Sequence, residues 1–344
     1  MEVTSSEVAF PSSEGNLVTL KSGIVIEEKE GHFILDGDIL LTEEQIELLD
    51  KTGSIFPAEI EPIDSSKIIL IGNPATGVDY IINPSLSHTK AVGRHPYEGT
   101  AWSMVRYVLD PTLDYYTKMN IQGAIEHYNT NTNVRFYNAT GKPTKDPTYG
   151  FEYPYVYFTH GIGKDRGESN SSYVGRKGGR QDLLLQFGAP KGTIIHEIGH
   201  AIGLYHEHNR YDRDNYVTIH YANIRSKKSY NFSKQTRNYY IIGSFDWNSI
   251  MLYSSNDFSS NGKPTMTKKN GSTFIGQRTC LSEMDRRWAN TFYLPYVARE
   301  DICLELEDIV YKGDNSIMSN HERRNLMYRL NQNRGNCYRQ VSRW

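Results

Sequence analysis

The first apolar positions in the chain come as short, close-set runs. Phe33 to Leu41 (FILDGDILL) and Ile68 to Ile71 (IILI) read as strands. Between them, Thr42 to Leu49 (TEEQIELL) sets Gln45 three residues after Thr42, the capping-box spacing that opens a short helix. No long helical period occurs before about residue 90, so this part reads as an appendage whose core is too small to stand alone. From Trp102 the elements crowd together. Ser103 to Leu109, Val134 to Tyr137, Tyr155 to Phe158 and Asp182 to Phe187 predict strands. Ile121, Ala124, Ile125 and Tyr128 fall on one face at helical spacing and predict an amphipathic helix over 113–129. Thr193 to Ile202 predicts a second helix, stopped by Gly203, a residue type that accepts a left-handed turn. Ser282 and Asp285 open a last helix that runs to about Tyr293. The charged run Asn320 to Arg324 (NHERR) predicts a solvated helix face.

Composition narrows the classes. At 344 residues the chain can bury one large core or two ordinary ones. No apolar run approaches the roughly 20 residues of a membrane helix, which excludes an integral helical membrane protein. A net charge of -2, from 38 basic and 40 acidic side chains, leaves no footprint for nucleic acid or an anionic membrane surface. Three cysteines are too few for a disulfide-rich scaffold or a cysteine-built metal site. The residues after Met1 form neither a basic nor an apolar leader, so no secretory signal is expected in the chain as written.

Chemistry concentrates in 196–217, HEIGHAIGLYHEHNRYDRDNYV. His196 and His200 stand four apart, so on a helix both imidazoles lie on one side, one turn apart, as two zinc bonds of about 2.0–2.1 Å require. Glu197, beside the first of them, is placed to act as a base. Gly203 lets the chain turn and His206 arrives as a third ligand. Three protein ligands leave a position for water, the arrangement of a hydrolytic zinc site.

This stretch resembles the extended zinc signature of the metzincin peptidases, and its continuation from Glu207 through Asp214 is similar to their astacin branch. Three further motifs fit, in the family's order: Ser172 to Arg176 (SYVGR), Ser249 to Tyr253 (SIMLY, with Leu252 where histidine is common) and Ile275 to Asp285 (IGQRTCLSEMD). The resemblance covers about 93–295. It implies an α+β, two-lobed metzincin fold: a propeptide over 1–92, a catalytic domain over 93–300 divided near 206, and a C-terminal extension over 301–344. It implies one zinc ion per chain on His196, His200 and His206, with Glu197 as general base. Tyr253 would ligate zinc at rest and then stabilise the oxyanion, and Met251 would pack beneath the metal. Glu207 would anchor the new amino terminus. Strand 182–187, with Leu183 and Leu185, would be the edge that pairs with an extended peptide. Lys268 would stand near the primed-side pocket and favour an acidic residue. Leu35 to Asp38 (LDGD) resembles the family's FxGD element, which implies that Asp38 takes the fourth zinc position and silences the enzyme.

The expected function is that of a secreted, latent zinc metalloendopeptidase acting on proteins or peptides as a monomer. An activating protease would cut near Lys90 or Arg94. The alternative is a zinc-stabilised adhesin or binding module without catalysis, which the presence of Glu197 disfavours. Asn133, Asn170 and Gly188 stand where animal members of the family carry cysteines, a pattern that suggests a bacterial relative. Cys303 and Cys337 are expected to pair, and Cys280 to be a buried free thiol.

Overall fold

A nine-stranded sheet runs through two separate parts of the chain in the computed structural model, which describes residues 15–29, 31–55, 92–94, 101–147, 150–161, 170–235, 239–298, 303–332 and 337. The amino-terminal part contributes β1 (Asn16–Thr19), β2 (Val25–Lys29), β3 (His32–Leu35) and β4 (Ile39–Leu41), an antiparallel meander followed by α1 (Glu43–Thr52). The predicted capping box opens α1: Gln45 N–H donates to the Thr42 hydroxyl oxygen and the Gln45 side chain accepts from Thr42 N–H. Ile26, Leu35, Ile39, Leu41, Leu49 and Ile55 form its small core, which is closed by Val174 and Tyr205 from the larger part. An appendage is what the sequence predicted; the structure shows which surface completes it. The predicted strand Ile68–Ile71 lies outside the described residues.

After β5 (Val92–Arg94) come β6 (Val105–Leu109), α2 (Tyr115–Asn131), β7 (Phe136–Asn138), β8 (Tyr155–His160), β9 (Ser171–Ser172), β10 (Arg180–Leu185) and α3 (Lys191–Ile202). The full sheet order is β1-β2-β3-β4-β9-β10-β8-β6-β7. β10 runs parallel to β8 along its whole length, and β8 and β6 are also parallel, so α2 and α3 pack against a largely parallel sheet. α3 is buried from Gly192 to Ile202. Three aromatic side chains hold it by its carbonyls: the Tyr128 hydroxyl donates to Ile195 (2.8 Å), the Trp102 indole to Ala201 (2.8 Å) and the Tyr293 hydroxyl to Ile202 (2.7 Å). A buried helix so tied presents its side chains at fixed positions.

The lower lobe has little regular structure: β11 (Val217–Ile219) pairs with β13 (Met266–Lys268), β12 (Tyr239–Ile241) pairs with β5, and α4 (Glu283–Phe292) closes the unit. Its core gathers Phe232, Phe245, Leu252, Tyr253, Phe258 and Met266. α5 (Asn320–Asn331) follows; the NHERR run is mostly exposed, while Leu326 and Met327 turn into a core with Tyr296, Leu306 and Val310. Cys303 and Cys337 are joined, as expected. Cys280 is a free thiol but an exposed one, which corrects the expectation of burial: it sits on the loop before α4, whose backbone Gln277 braces from the surface side.

Candidate zinc site

His196 and His200 project from the same side of α3, and Gly203, at φ 115°, turns the chain so that His206 comes back to face them. The Nδ1 atoms of His196 and His200 donate to the carbonyls of Ile250 (2.9 Å) and Leu204 (2.8 Å), which leaves each Nε2 lone pair free to bind. Those nitrogens meet Asp38 from the turn between β3 and β4. His206 and His196 Nε2 lie 3.1 and 3.3 Å from Asp38 Oδ2, and His200 Nε2 lies 3.5 Å from Oδ1. All four residues are buried.

A tetrahedron of zinc bonds about 2.0–2.1 Å long has edges of about 3.3 Å, close to the spacing of Asp38 from the three histidine nitrogens. His196 and His200 both turn acceptor nitrogens toward the Asp38 carboxylate, and such groups repel one another, so the arrangement makes sense around a cation. Asp38 Oδ1 and His200 Nε2 are buried without a hydrogen-bond partner, as ligand atoms facing a metal would be. Burial pushes His196 down to about 3, keeping it neutral as ligation requires. Asp38 is held well below the carboxylate range: burial alone would raise it, but the surrounding imidazoles outweigh that. The opposite holds for Glu197, which burial and the Asp38 charge raise well above its ordinary value, with Oε2 left unpartnered.

The turn Ser249 to Tyr253 around Met251, the Met-turn, supports this cluster from below. Ser249 hydroxyl and Ile250 N–H both donate to the Asp285 carboxylate of α4, at 2.8 and 2.9 Å, and Met251 packs its sulfur so close to Gly199 that a Cβ there would lie 2.9 Å away. The Tyr253 ring leans on His206 and His208, at centroid distances of 4.6 and 3.9 Å, and its hydroxyl donates to the Asp36 carbonyl. Glu207 accepts from Arg210 (3.0 Å) and from Asp246 N–H (2.9 Å).

One expectation needs correction. β10, with Leu183 and Leu185, is not an edge: it pairs with β8 on one side and β9 on the other, and both leucines are fully buried in the core. The strand beside the cluster is β9, and there Ile39 of β4 pairs with Ser172, whose N–H donates to the Asp38 carbonyl at 2.9 Å. Lys268 of β13 lies over the Trp247 ring at 4.5 Å. Arg94, expected as a cleavage point, is in β5 paired with Tyr239, and Lys90 lies outside the described residues.

Other participants were not read from the sequence. Glu27 of β2 forms a buried ion pair with Lys228 (2.5 Å) that the Tyr230 hydroxyl joins (3.3 Å). Arg278, which donates to the Leu252 carbonyl, puts a positive charge near both Asp38 and Glu197. The IGQR motif was the available signal for Arg278; Lys228 and Tyr230 had none.

The model of the astacin family of peptidases matches residues 94–294. The chain belongs to that family. Among curated relatives, this astacin is 38% identical over 205 residues to zinc metalloproteinase nas-14 of Caenorhabditis elegans, covering 57% of this chain and 38% of that one. It is 36% identical over 209 residues to blastula protease 10 of Paracentrotus lividus, covering 57% and 33%. The chain thus spans only about a third of the length of these relatives. Both are from animals and give no support to the bacterial source that the cysteine pattern suggested. Among solved structures, the fold is similar to high choriolytic enzyme 1, a hatching enzyme zinc-protease from Oryzias latipes, with 31% identity, a TM-score of 0.46, and coverage of 55% of this chain and 88% of that one. The metal of the site is zinc, as in the relatives named for it.

Proposed function

We propose that this astacin is a zinc endopeptidase that hydrolyses peptide bonds in polypeptides and is held latent by Asp38 until residues 1–92 are removed. The observation that carries the reading is the convergence of Asp38 with His196, His200 and His206 in one buried group. When bound, zinc lowers the pKa of water toward neutrality and polarises a carbonyl oxygen. The chain's own residues do the rest. In the latent form Asp38 fills the fourth position and keeps water from it. With Asp38 withdrawn, Glu197 is free to take a proton from water and deliver it to the leaving amine. Tyr253, released from the Asp36 carbonyl, turns its hydroxyl to the developing oxyanion, the kind of contact that stabilises acyl-transfer transition states by a few kcal/mol. Glu207 anchors the amino terminus that the cut creates.

The Cys303–Cys337 disulfide supports secretion, since such bonds persist in oxidising compartments. No helix among the described residues is long and apolar enough to cross a membrane. A cut near Lys90 suits activation better than one at Arg94, which would have to open the β5–β12 pair.

The test is to load the full chain with zinc and assay casein hydrolysis before and after limited proteolysis, alongside Glu197→Ala and Asp38→Ala. Expected are an inert uncut parent, an active cut parent, an inert but zinc-bound Glu197→Ala, and an uncut Asp38→Ala already active. A cut parent that cleaves nothing would leave the binding-module alternative standing. An uncut parent at full activity would end the latency reading.

A further inference from the structure

Asn231 lies in the same lower-lobe turn as Lys228 and Tyr230, and it is completely buried. Its backbone carbonyl is occupied, accepting from His208 Nε2 at 3.1 Å. Its side-chain amide is not: both Nδ2 and Oδ1 are buried with no hydrogen-bond partner. This sets it apart from the other buried asparagines. Asn133 makes hydrogen bonds to Asn290 and Tyr311 through both ends of its amide, Asn331 does the same with Leu304, Asn170 accepts from Gln186, and Asn209 donates to Ser233. Buried amides are bonded as a rule, so one with neither atom satisfied marks a position built for another state of the molecule.

The amide faces the amino-terminal segment. A Cβ placed on Gly37 would lie 3.4 Å from Asn231 Nδ2, 3.1 Å from the Tyr253 hydroxyl and 3.0 Å from the Phe258 ring. Amide, hydroxyl and ring therefore close around one backbone position, next in sequence to Asp38. That position is glycine at φ 91°, and the turn offers the amide no backbone donor or acceptor. A carboxamide carries one donor and one acceptor group side by side, the same pair that a peptide bond presents.

We propose that the Asn231 carboxamide is a main-chain docking group of the cleft, covered but unpaired in the latent chain, which hydrogen-bonds a peptide group of the substrate beside Tyr253 once the segment is gone. This rests on the peptidase reading above and adds to it a residue that recognises the substrate by its backbone. The amide reads neither charge nor side-chain size, so it contributes equally to cleavage of many sequences.

Two measurements on Asn231→Ala and Asn231→Leu test it. In the uncut chain the amide bonds nothing, so thermal melts of both variants should match or exceed the parent, and zinc content should be unchanged. After proteolytic activation, kcat/KM on a model peptide should fall about tenfold, the loss of a useful hydrogen bond. A series of that peptide N-methylated at successive bonds around the cut then locates the contact. At one position the methyl should impair the parent but add little to the loss already present in Asn231→Ala. A melt well below the parent in both variants would show that the amide supports the latent fold and overturn the proposal. Additive losses at every position, or an unchanged kcat/KM, would also overturn it. A parent that stays inactive after cutting would instead defeat the peptidase reading itself.

Discussion

Glu27 and Lys228 are joined across the boundary between the amino-terminal segment and the lower lobe, both nearly out of water. Removing one partner of a buried pair strands the other charge, at a cost of about 3 kcal/mol. Glu27→Ala should therefore loosen the segment, seen as faster proteolysis within 15–55 and a lower melting temperature. Unchanged proteolysis would show that the pair does not hold the segment. Tyr253→Phe should act in both states: it removes the bond to the Asp36 carbonyl in the latent chain, and in the cut enzyme it should lower kcat more than it raises KM. An unchanged kcat would remove Tyr253 from the mechanism. Legibility at this scale followed chain distance. His196, His200 and His206 were readable because a four-residue spacing and a glycine turn define their geometry locally. Lys228, Tyr230 and Asn231 sit on a lower-lobe turn, and only tertiary folding brings them against the amino-terminal segment.

The helices and their caps were legible as elements because those signals are local. The helix expected over 113–129 is α2, Tyr115–Asn131; the one expected from Thr193 is α3, which starts at Lys191; and both capping boxes are present. The strand near 182–187 was found as well, but not its place in the sheet. Its neighbour β9 is two residues long, too short to leave a pattern, and so β10 passed for an edge. Asp285 shows how an element can carry a site without touching it. It caps α4 and also accepts from Ser249 and Ile250 in the Met-turn. Asp285→Ala should lose the reciprocal half of the capping box that Ser282 opens and unfasten the turn as well. We expect a clear fall in melting temperature together with weaker zinc retention in a chelator titration. A fall in melting temperature alone would confine Asp285 to the helix.

Across the whole molecule, two carboxylates between β6 and α2 contribute to the response to acid. Burial opposes their ionisation, but hydrogen bonds from Thr112 and Thr159 hold Asp110 at about 2, and bonds from Thr117 and Gly188 hold Asp114 at about 2. Folded values below the unfolded ones mean that their stabilisation is complete above the ordinary carboxylate pKa, about 4, and is lost as pH falls toward 2. Melts from pH 5 to pH 2 should decline through that window, and less steeply in an Asp110→Asn, Asp114→Asn double variant. Equal slopes would move the acid sensitivity elsewhere. What could not be read at this scale was the continuity of the sheet, since one register pair, Ile39 with Ser172, joins its two parts. That join has a consequence for dilution. While the chain is whole, β4 is tethered to β9 at an effective concentration on the order of millimolar. After a cut it competes only at its concentration in solution, which at nanomolar enzyme is about a millionfold lower. Processing then acts as a ratchet driven by volume: a concentrated digest partly re-silences itself, and its activity per molecule should rise when it is diluted.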